Sequence, residues 1–201
     1  MIQVPEIVRR YYSELIWKVE TDDKDLYLTF DDGPTKGVTE WTLDLLKEFD
    51  AKATFFCIGK NVEKQPEIFE RIKQEGHAVG NHTYDHIKGW TSRNFDYMKS
   101  VMKCDDLVQS PLFRPPYGKI KKNQIKGLKE RFKIVMWDVL SEDYNPSLSA
   151  DSCFNKVEKH VGKGSIIVFH DSKKAYKNLQ VLLPKVLRYY KNQGYSFKSL
   201  E

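Results

Sequence analysis

The chain has 201 residues, of which 40% are hydrophobic and 30% charged, and its formal net charge is +5. This length fits one domain, residues 1–201, and we expect residues 1–24 to be an N-terminal extension that packs on it. The basic residues lie among acidic ones and lack interleaved aromatics, so we expect no nucleic-acid partner.

Strand-like and helix-like segments alternate along the chain. The predicted strands are residues 25–30, 53–58, 77–81, 112–114, 133–139, 165–169 and 195–200. The predicted helices are residues 39–49, 66–74, 92–108, 123–132, 150–161 and 174–192. Strands that are separated by helical crossovers pair in parallel. The pattern therefore predicts an α/β fold, either a small barrel or an open doubly wound sheet.

The three cysteines, Cys57, Cys104 and Cys153, are widely spaced. This spacing excludes a disulfide framework and a cysteine-rich zinc site. No window approaches the roughly 20 apolar residues of a membrane span, and no signal peptide is visible near Met1. We therefore expect no membrane span and, by default, a cytoplasmic location. The sequence does not determine the oligomeric state, for which a monomer is favoured.

Two adjacent acids, Asp31 and Asp32, follow the first predicted strand and precede Gly33-Pro34. Neighbouring carboxylates repel each other, and a metal ion that takes one of them as a ligand relieves the repulsion. The other carboxylate is then free to act as a base. The same four residues also suit an ordinary solvated turn, and this motif taken alone favours that alternative.

His82 and His86 follow the third predicted strand, and the chain contains only five histidines. Their spacing places both on one face of a helical turn, which is common for metal ligands. Two imidazoles and a carboxylate suit zinc, and also cobalt, nickel or iron. The spacing therefore predicts a site for one divalent ion, with zinc favoured. We assign no role to His77 or His160.

His170 ends a strongly apolar strand, where an imidazole can act as general acid or base near neutral pH. A core histidine bonded to the backbone is the alternative. Arg114 precedes two prolines, which hold it rigidly enough to orient a carboxylate through paired hydrogen bonds. The backbone N–H of Tyr117 can face an oxyanion. The alternative for this segment is a structural turn with a surface arginine.

A further acidic cluster follows the strand that ends near Trp137. It contains Asp138, Glu142 and Asp143, and Tyr144 comes directly after them. Not all three acids are expected to be essential, and some of them are only solvated.

Taken in order, these five segments resemble the polysaccharide deacetylase family, the NodB homology domain of carbohydrate esterase family 4. The resemblance runs from Leu26 to the end of the chain. It is carried by Thr-Phe-Asp-Asp-Gly-Pro at 29–34, the histidine pair, Arg-Pro-Pro-Tyr-Gly at 114–118 and Phe-His-Asp-Ser at 169–172.

The resemblance implies a distorted (β/α) barrel, TIM-barrel-like, with about seven parallel strands rather than eight. It implies a metal-dependent hydrolase of linear amides that removes N-acetyl groups from N-acetylglucosamine units. The expected partner is a glycan: peptidoglycan, chitin or a chito-oligosaccharide. Members of this family often act at the cell envelope.

The resemblance also implies residue roles. Asp31 is expected to be the general base, and Asp32 a metal ligand together with His82 and His86. His170 is expected to protonate the leaving amine.

Five further residues receive supporting roles. Arg114 is expected to orient Asp31, and Asp143 to tune His170. The Tyr117 N–H is expected to help hold the oxyanion. Tyr117, Tyr144 and Trp90 are expected to form a rim that stacks on sugar rings.

The fifth of the segments described above, the acidic cluster at residues 137–144, departs from the family pattern. Leu140 stands where the family often has Asp, and Tyr144 stands where it often has Trp. Val168 replaces the usual Leu. Two rival functions therefore remain: a hydrolase of another substrate, such as O-acetyl xylan or a cyclic amide, and a non-catalytic glycan-binding module.

Overall fold

The computed structural model describes residues 4–201. Its strands are β1 (Asp25–Asp31), β2 (Ala53–Cys57), β3 (Ala78–Asn81), β4 (Leu112–Phe113), β5 (Lys133–Ile134), β6 (Val139–Leu140), β7 (Ile166–His170) and β8 (Ser196–Phe197). Its helices are α1 (Glu6–Tyr11), α2 (Val38–Glu48), α3 (Gly59–Lys64), α4 (Pro66–Gln74), α5 (Asn94–Val108), α6 (Lys122–Leu128), α7 (Ala150–His160) and α8 (Tyr176–Asn192).

The strands form one curled sheet in the order β5-β4-β3-β2-β1-β7-β6, and β8 pairs with the start of β1. Every pairing is parallel. The seven strands form a curled half-barrel with helices around it, which confirms the predicted distorted barrel. Because the strands are parallel, all of their carboxyl ends lie at one edge.

The alternation of side chains along β1 separates core from site. Phe30 points outward and stacks on Phe55 of β2 and Phe169 of β7, with ring centroids 5.0 and 5.7 Å away. The alternate residues Thr29 and Asp31 both reach the same guanidinium across the barrel. Apolar packing on one face of the strand therefore aims polar groups into the barrel on the other.

The predicted strand at residues 133–139 is wrong, because the segment contains two strands at opposite edges of the sheet. β5 pairs with β4, and β6 pairs with β7. The carbonyls of Val135 and Met136, between them, accept hydrogen bonds from the Arg114 side chain. These two carbonyls therefore bond to a side chain instead of a neighbouring strand. The segment that contains them crosses the open side of the half-barrel.

The predicted extension, residues 1–24, begins with three residues that lie outside the described part of the chain. Ile16 donates to the Ile134 carbonyl, and Met136 donates to the Ile16 carbonyl. Leu15 and Trp17 are buried beside this bridge. The segment therefore lies along the crossing between β5 and β6.

Helices α1 and α3 were not predicted. None of the α1 residues is buried, so this helix has no apolar stripe that a sequence pattern could detect. α3 spans only six residues. Among residues 4–201, no helix has the length and apolar character to cross a membrane.

Candidate active site

A cavity of about 440 Å³ opens at the carboxyl ends of the strands. The predicted site residues that line it are Asp31, Asp32, His82, His86, Tyr117, Tyr144 and His170. The other two, Arg114 and Asp143, lie behind the cavity wall and bond to Asp31 and His170. The structure therefore brings all nine predicted residues to one place, through the lining and the layer behind it.

A larger cavity, of about 610 Å³, lies at the opposite end of the barrel. Its walls combine apolar side chains, such as Leu112 and Val135, with exposed lysines such as Lys52 and Lys133. It contains none of the predicted site residues. Its walls also lack the cluster of buried ionisable groups that marks the smaller cavity, so we place the chemistry at the carboxyl ends.

Asp32, His82 and His86 offer one carboxylate oxygen and two ring nitrogens within 4.8 Å of one another. The Asp32 Oδ1 lies 3.1 Å from His86 Nε2 and 3.7 Å from His82 Nε2. The Arg114 carbonyl can only accept, so His82 Nδ1, at 2.8 Å from it, must donate. This bond leaves the lone pair of His82 Nε2 free to face Asp32 and a cation.

The charge states of these groups suit cation binding. Burial and the nearby His86 lower the pKa of His82 to about 4, so the imidazole is a neutral donor at pH 7. Burial alone would raise the pKa of Asp32, but the hydrogen bond to His86 and the nearby His170 hold it well below its usual range. Three oxygen and nitrogen donors with one carboxylate fit a zinc-like ion that keeps open positions.

The prediction that His82 and His86 share a helical turn is wrong, because both lie in a loop after β3. Asn81 Oδ1 accepts from the Thr83 N–H at 2.9 Å, and Thr83 Oγ1 accepts from the Ile87 N–H at 3.2 Å. Side-chain bonds of this kind compete with helix formation. Thr83 and His86 have φ values of 62° and 56°, outside the helical region.

On one side of the cavity, Arg114 holds Asp31. The guanidinium is fully buried, and its Nη1 donates to Asp31 Oδ1 at 2.7 Å. The same nitrogen donates to Thr29 Oγ1 at 2.7 Å, and Nη2 donates to the Met136 carbonyl at 2.8 Å. The contact with Asp31 is therefore a single bond rather than the predicted pair, and Asp31 Oδ2 is not used by the arginine. The predicted alternative of a surface arginine is wrong.

On the other side, Asp143 holds His170. Its Oδ1 lies 2.8 Å from His170 Nδ1, and its Oδ2 accepts from the His170 backbone N–H at 2.8 Å. Burial alone would lower the pKa of His170, but the Asp143 carboxylate outweighs burial, and Asp31 and Asp32 add to it. The pKa of His170 is thereby raised to about 9. The imidazole is protonated at neutral pH, with Nε2–H as its remaining donor.

The two sides are joined by the sheet, because Asp31 and His170 are register partners on the adjacent strands β1 and β7. Neighbouring residues in register on parallel strands point to the same face of the sheet. The carboxylate and the imidazolium therefore enter the same cavity.

The three acids of the fifth segment have different partners. Asp138 pairs with Arg9 at 2.8 Å and accepts from Ser165 Oγ at 2.6 Å. Glu142 pairs with Lys156. Asp143 contacts His170, a residue of the cavity lining.

The rim contains two of the three expected aromatics. Tyr117 is 59% exposed and has a φ of 60°, and Tyr144 packs edge-on against His170. Leu140 and Val168, the departures from the family pattern, line the same cavity. The expectation that Trp90 belongs to this rim is wrong, because its Nε1 donates to the Ile120 carbonyl and its ring is outside the lining.

The sequence reading missed a contact behind the Asp31-Asp32 turn. Thr39 Oγ1 donates to Asp171 Oδ2 at 2.5 Å and accepts from the Thr35 N–H at 2.7 Å. A Cβ at Gly33 would lie 2.0 Å from the same Asp171 oxygen. The only available signal was the acid directly after His170, and burial raises its pKa to about 7.

Comparisons with known proteins show the family to which the chain belongs. Residues 18–131 match the family model for polysaccharide deacetylase. A peptidoglycan-N-acetylglucosamine deacetylase of Bacillus cereus is 38% identical over 88% of this chain, which spans 66% of that protein. The crystal structure of the Bc1960 peptidoglycan N-acetylglucosamine deacetylase superimposes with a TM-score of 0.90 at 33% identity, over 98% of this chain and 95% of that one.

A family pseudoenzyme of Bacillus anthracis shares the fold, with a TM-score of 0.82 at 22% identity over 92% of this chain and 66% of that one. Activity must therefore be argued from the site rather than from the fold. The match to the family model covers more than half of the chain, and with it the Asp31-Asp32 turn, the histidine loop and Arg114. The chain belongs to the polysaccharide deacetylase family.

Proposed function

We propose that this protein is a metal-dependent deacetylase that hydrolyses the N-acetyl group of N-acetylglucosamine units in peptidoglycan. One observation carries the proposal: a carboxylate held by Arg114 and an imidazolium held by Asp143 enter one cavity, beside a set of three metal donors. A glycan-binding module has no need for this combination of base, acid and ligands.

The donor set is Asp32, His82 and His86. Bound there, a zinc-like cation supplies Lewis acidity toward the acetyl carbonyl and lowers the pKa of water. Arg114 contributes indirectly, since its carbonyl fixes the tautomer of His82. The loop from Asn81 to Ile87 then holds both imidazoles in place through its own side-chain bonds.

Asp31 is the general base in this proposal. Arg114 donates to its Oδ1, which leaves Oδ2 to accept a proton from the attacking water. As the water oxygen bonds to the acetyl carbon, negative charge develops on the carbonyl oxygen. The Tyr117 backbone N–H is assigned to this oxygen as a hydrogen-bond donor.

His170 is the general acid. Its Nδ1 is held by Asp143, so Nε2–H is the proton that it delivers to the amide nitrogen as the carbon–nitrogen bond breaks. The products are acetate and a free amino sugar. One proton passes from water to Asp31 and one from His170 to nitrogen, so Asp31 must lose a proton and His170 must regain one before the next turnover.

Acetate release from an N-acetylglucosamine hexamer, from peptidoglycan strands and from O-acetyl xylan tests the proposal. The protein is stripped with a chelator and then reloaded with zinc, cobalt, nickel or iron. We expect acetate from the N-acetylated glycans only, with activity lost on stripping and restored by metal. Acetate from xylan alone, or activity that is indifferent to chelators, contradicts the proposal.

A further inference from the structure

Two tyrosines flank the cavity, and each contacts a histidine of the site. The ring centroid of Tyr117 lies 4.6 Å from that of His86, on the side of the metal donors. The ring centroid of Tyr144 lies 4.8 Å from that of His170, on the side of the general acid. The cavity therefore has one aromatic side chain beside the metal donors and one beside His170, and the flat face of a sugar can pack on either.

A lysine ammonium lies over the ring of each tyrosine. The Lys88 Nζ lies 5.8 Å from the centroid of Tyr117, and the Lys174 Nζ lies 5.3 Å from that of Tyr144. Both lysines are exposed. Across residues 4–201, neither ammonium forms an ion pair with a carboxylate of the chain. Each is therefore available to an anion outside the protein.

The remaining charges at the cavity favour an anion at its mouth. The only acids in the lining are Asp31 and Asp32, and both are held by the catalytic and metal-binding groups described above. Lys88 and Lys174 thus add positive charge on two sides of a lining that contains no further acid. Charge arranged in this way attracts and orients anionic substrates.

We propose that Lys88 and Lys174 bind carboxylates on the sugars that flank the reacting N-acetylglucosamine, and so favour peptidoglycan over neutral chitin. The inference rests on the proposed function. In peptidoglycan, N-acetylglucosamine alternates with a muramic acid whose lactyl group bears a carboxylate-containing peptide. Each reacting sugar therefore has an anionic neighbour on both sides, which matches one lysine at each side of the cavity. In chitin, both neighbours are neutral.

The expected size of the effect follows from exposure. An exposed lysine and carboxylate in water contribute about 1 kcal/mol or less. This corresponds to a loss of about threefold to fivefold in kcat/KM for each lysine removed, mainly through KM. Because exposed charges are screened, the contribution shrinks as salt is added.

The test uses Lys88→Met, Lys174→Met and the double variant, which keep an unbranched side chain and remove the charge. Lys126→Met is the matched control, because Lys126 is exposed on α6 and lies over neither Tyr117 nor Tyr144. The substrates are peptidoglycan strands with free peptide carboxylates, the same strands after carboxyl amidation, and the N-acetylglucosamine hexamer. Turnover and equilibrium binding are both measured, at low and at physiological salt.

We expect the two rim variants to weaken turnover and binding on the carboxylate strands only, and Lys126→Met to leave all values unchanged. Equal losses on the charged and amidated strands, or no loss on either, overturn the inference. Should the wild type release no acetate from any substrate, the proposed function fails. Binding still decides the inference in that case, because a preference for charged over amidated strands that the variants abolish supports it, and its absence overturns it.

Discussion

Two buried ion pairs face the same cavity, and their roles are inverted. In the proposed mechanism, the reacting group of the Arg114–Asp31 pair is the anion, whereas that of the Asp143–His170 pair is the cation. A guanidinium keeps its charge at any working pH, so Arg114 is a permanent support for the base. The imidazole of His170 must lose and regain a proton, and its pKa depends on Asp143. Arg114 thus determines the position of the base, whereas Asp143 determines the pKa of the acid.

Asp31→Asn should give the largest change in turnover. The amide still accepts a hydrogen bond from Arg114 but cannot take a proton, so kcat is expected to fall by about 10²- to 10⁴-fold. The metal content should stay at the wild-type level, because Asp32, His82 and His86 are unchanged. Acetate release and elemental analysis of the purified protein measure the two quantities. A variant that keeps more than a tenth of the wild-type kcat contradicts the base role.

Arg114→Met should produce the largest loss of stability. It leaves Asp31 buried without its cation, and breaking one side of a buried pair costs about 3–5 kcal/mol. The Val135 and Met136 carbonyls also lose their donor. Urea unfolding of the variant measures the change. Arg93→Met, which removes an exposed pair with Asp96, is the control and should leave the midpoint unchanged.

Asp143→Asn should shift the alkaline limb of the pH profile of kcat rather than abolish activity. The amide keeps an acceptor for His170 but removes the charge that raises its pKa to about 9. Because the acid must be protonated, kcat falls as pH rises through the pKa of His170. We expect this fall to begin at least about one pH unit lower in the variant. Superimposable pH profiles at a fixed metal concentration contradict the tuning role.

The same pair links stability to pH. The pKa of His170 is higher in the folded state than in the unfolded one. Its contribution to stability is therefore fully present below about pH 6.5 and is lost as pH rises through about 9.

Glu142→Gln should give the smallest effect. Glu142 is adjacent to Asp143 in sequence, but it pairs with Lys156 rather than with a catalytic group. We expect an unchanged pH profile and a stability change of about 1 kcal/mol or less. Urea unfolding and the pH dependence of kcat test this. A shift of the alkaline limb would show that the two acids are not as distinct as their contacts indicate.

The parts of the fold that were predictable are those set by local pattern. β1 and β7 are apolar runs that end in Asp31 and His170, and parallel pairing brings such ends to one edge. Their register, which makes these two residues direct neighbours, depends on contacts between distant parts of the chain. A single sequence does not contain that information in any local pattern.

The predictions that failed each involve a competing polar contact. Residues 133–139 have the apolar content of one strand, but Arg114 takes two of the carbonyls. The spacing of His82 and His86 fits a helical turn, but the side chains of Asn81 and Thr83 bond the backbone instead. Residue type and spacing did not distinguish the three acids of the fifth segment, and only the family resemblance singled out Asp143, whose partner in the structure is His170.

The Arg114 side chain has two roles. The guanidinium that orients Asp31 also fastens the segment that spans the open side of the half-barrel. Proteins open locally before they unfold globally, and a seam without continuous strand pairing is a place for such opening. Heating or mild denaturant that loosens this seam would release the base at the same moment. Catalytic activity would then be lost at a lower temperature or denaturant concentration than most of the secondary structure.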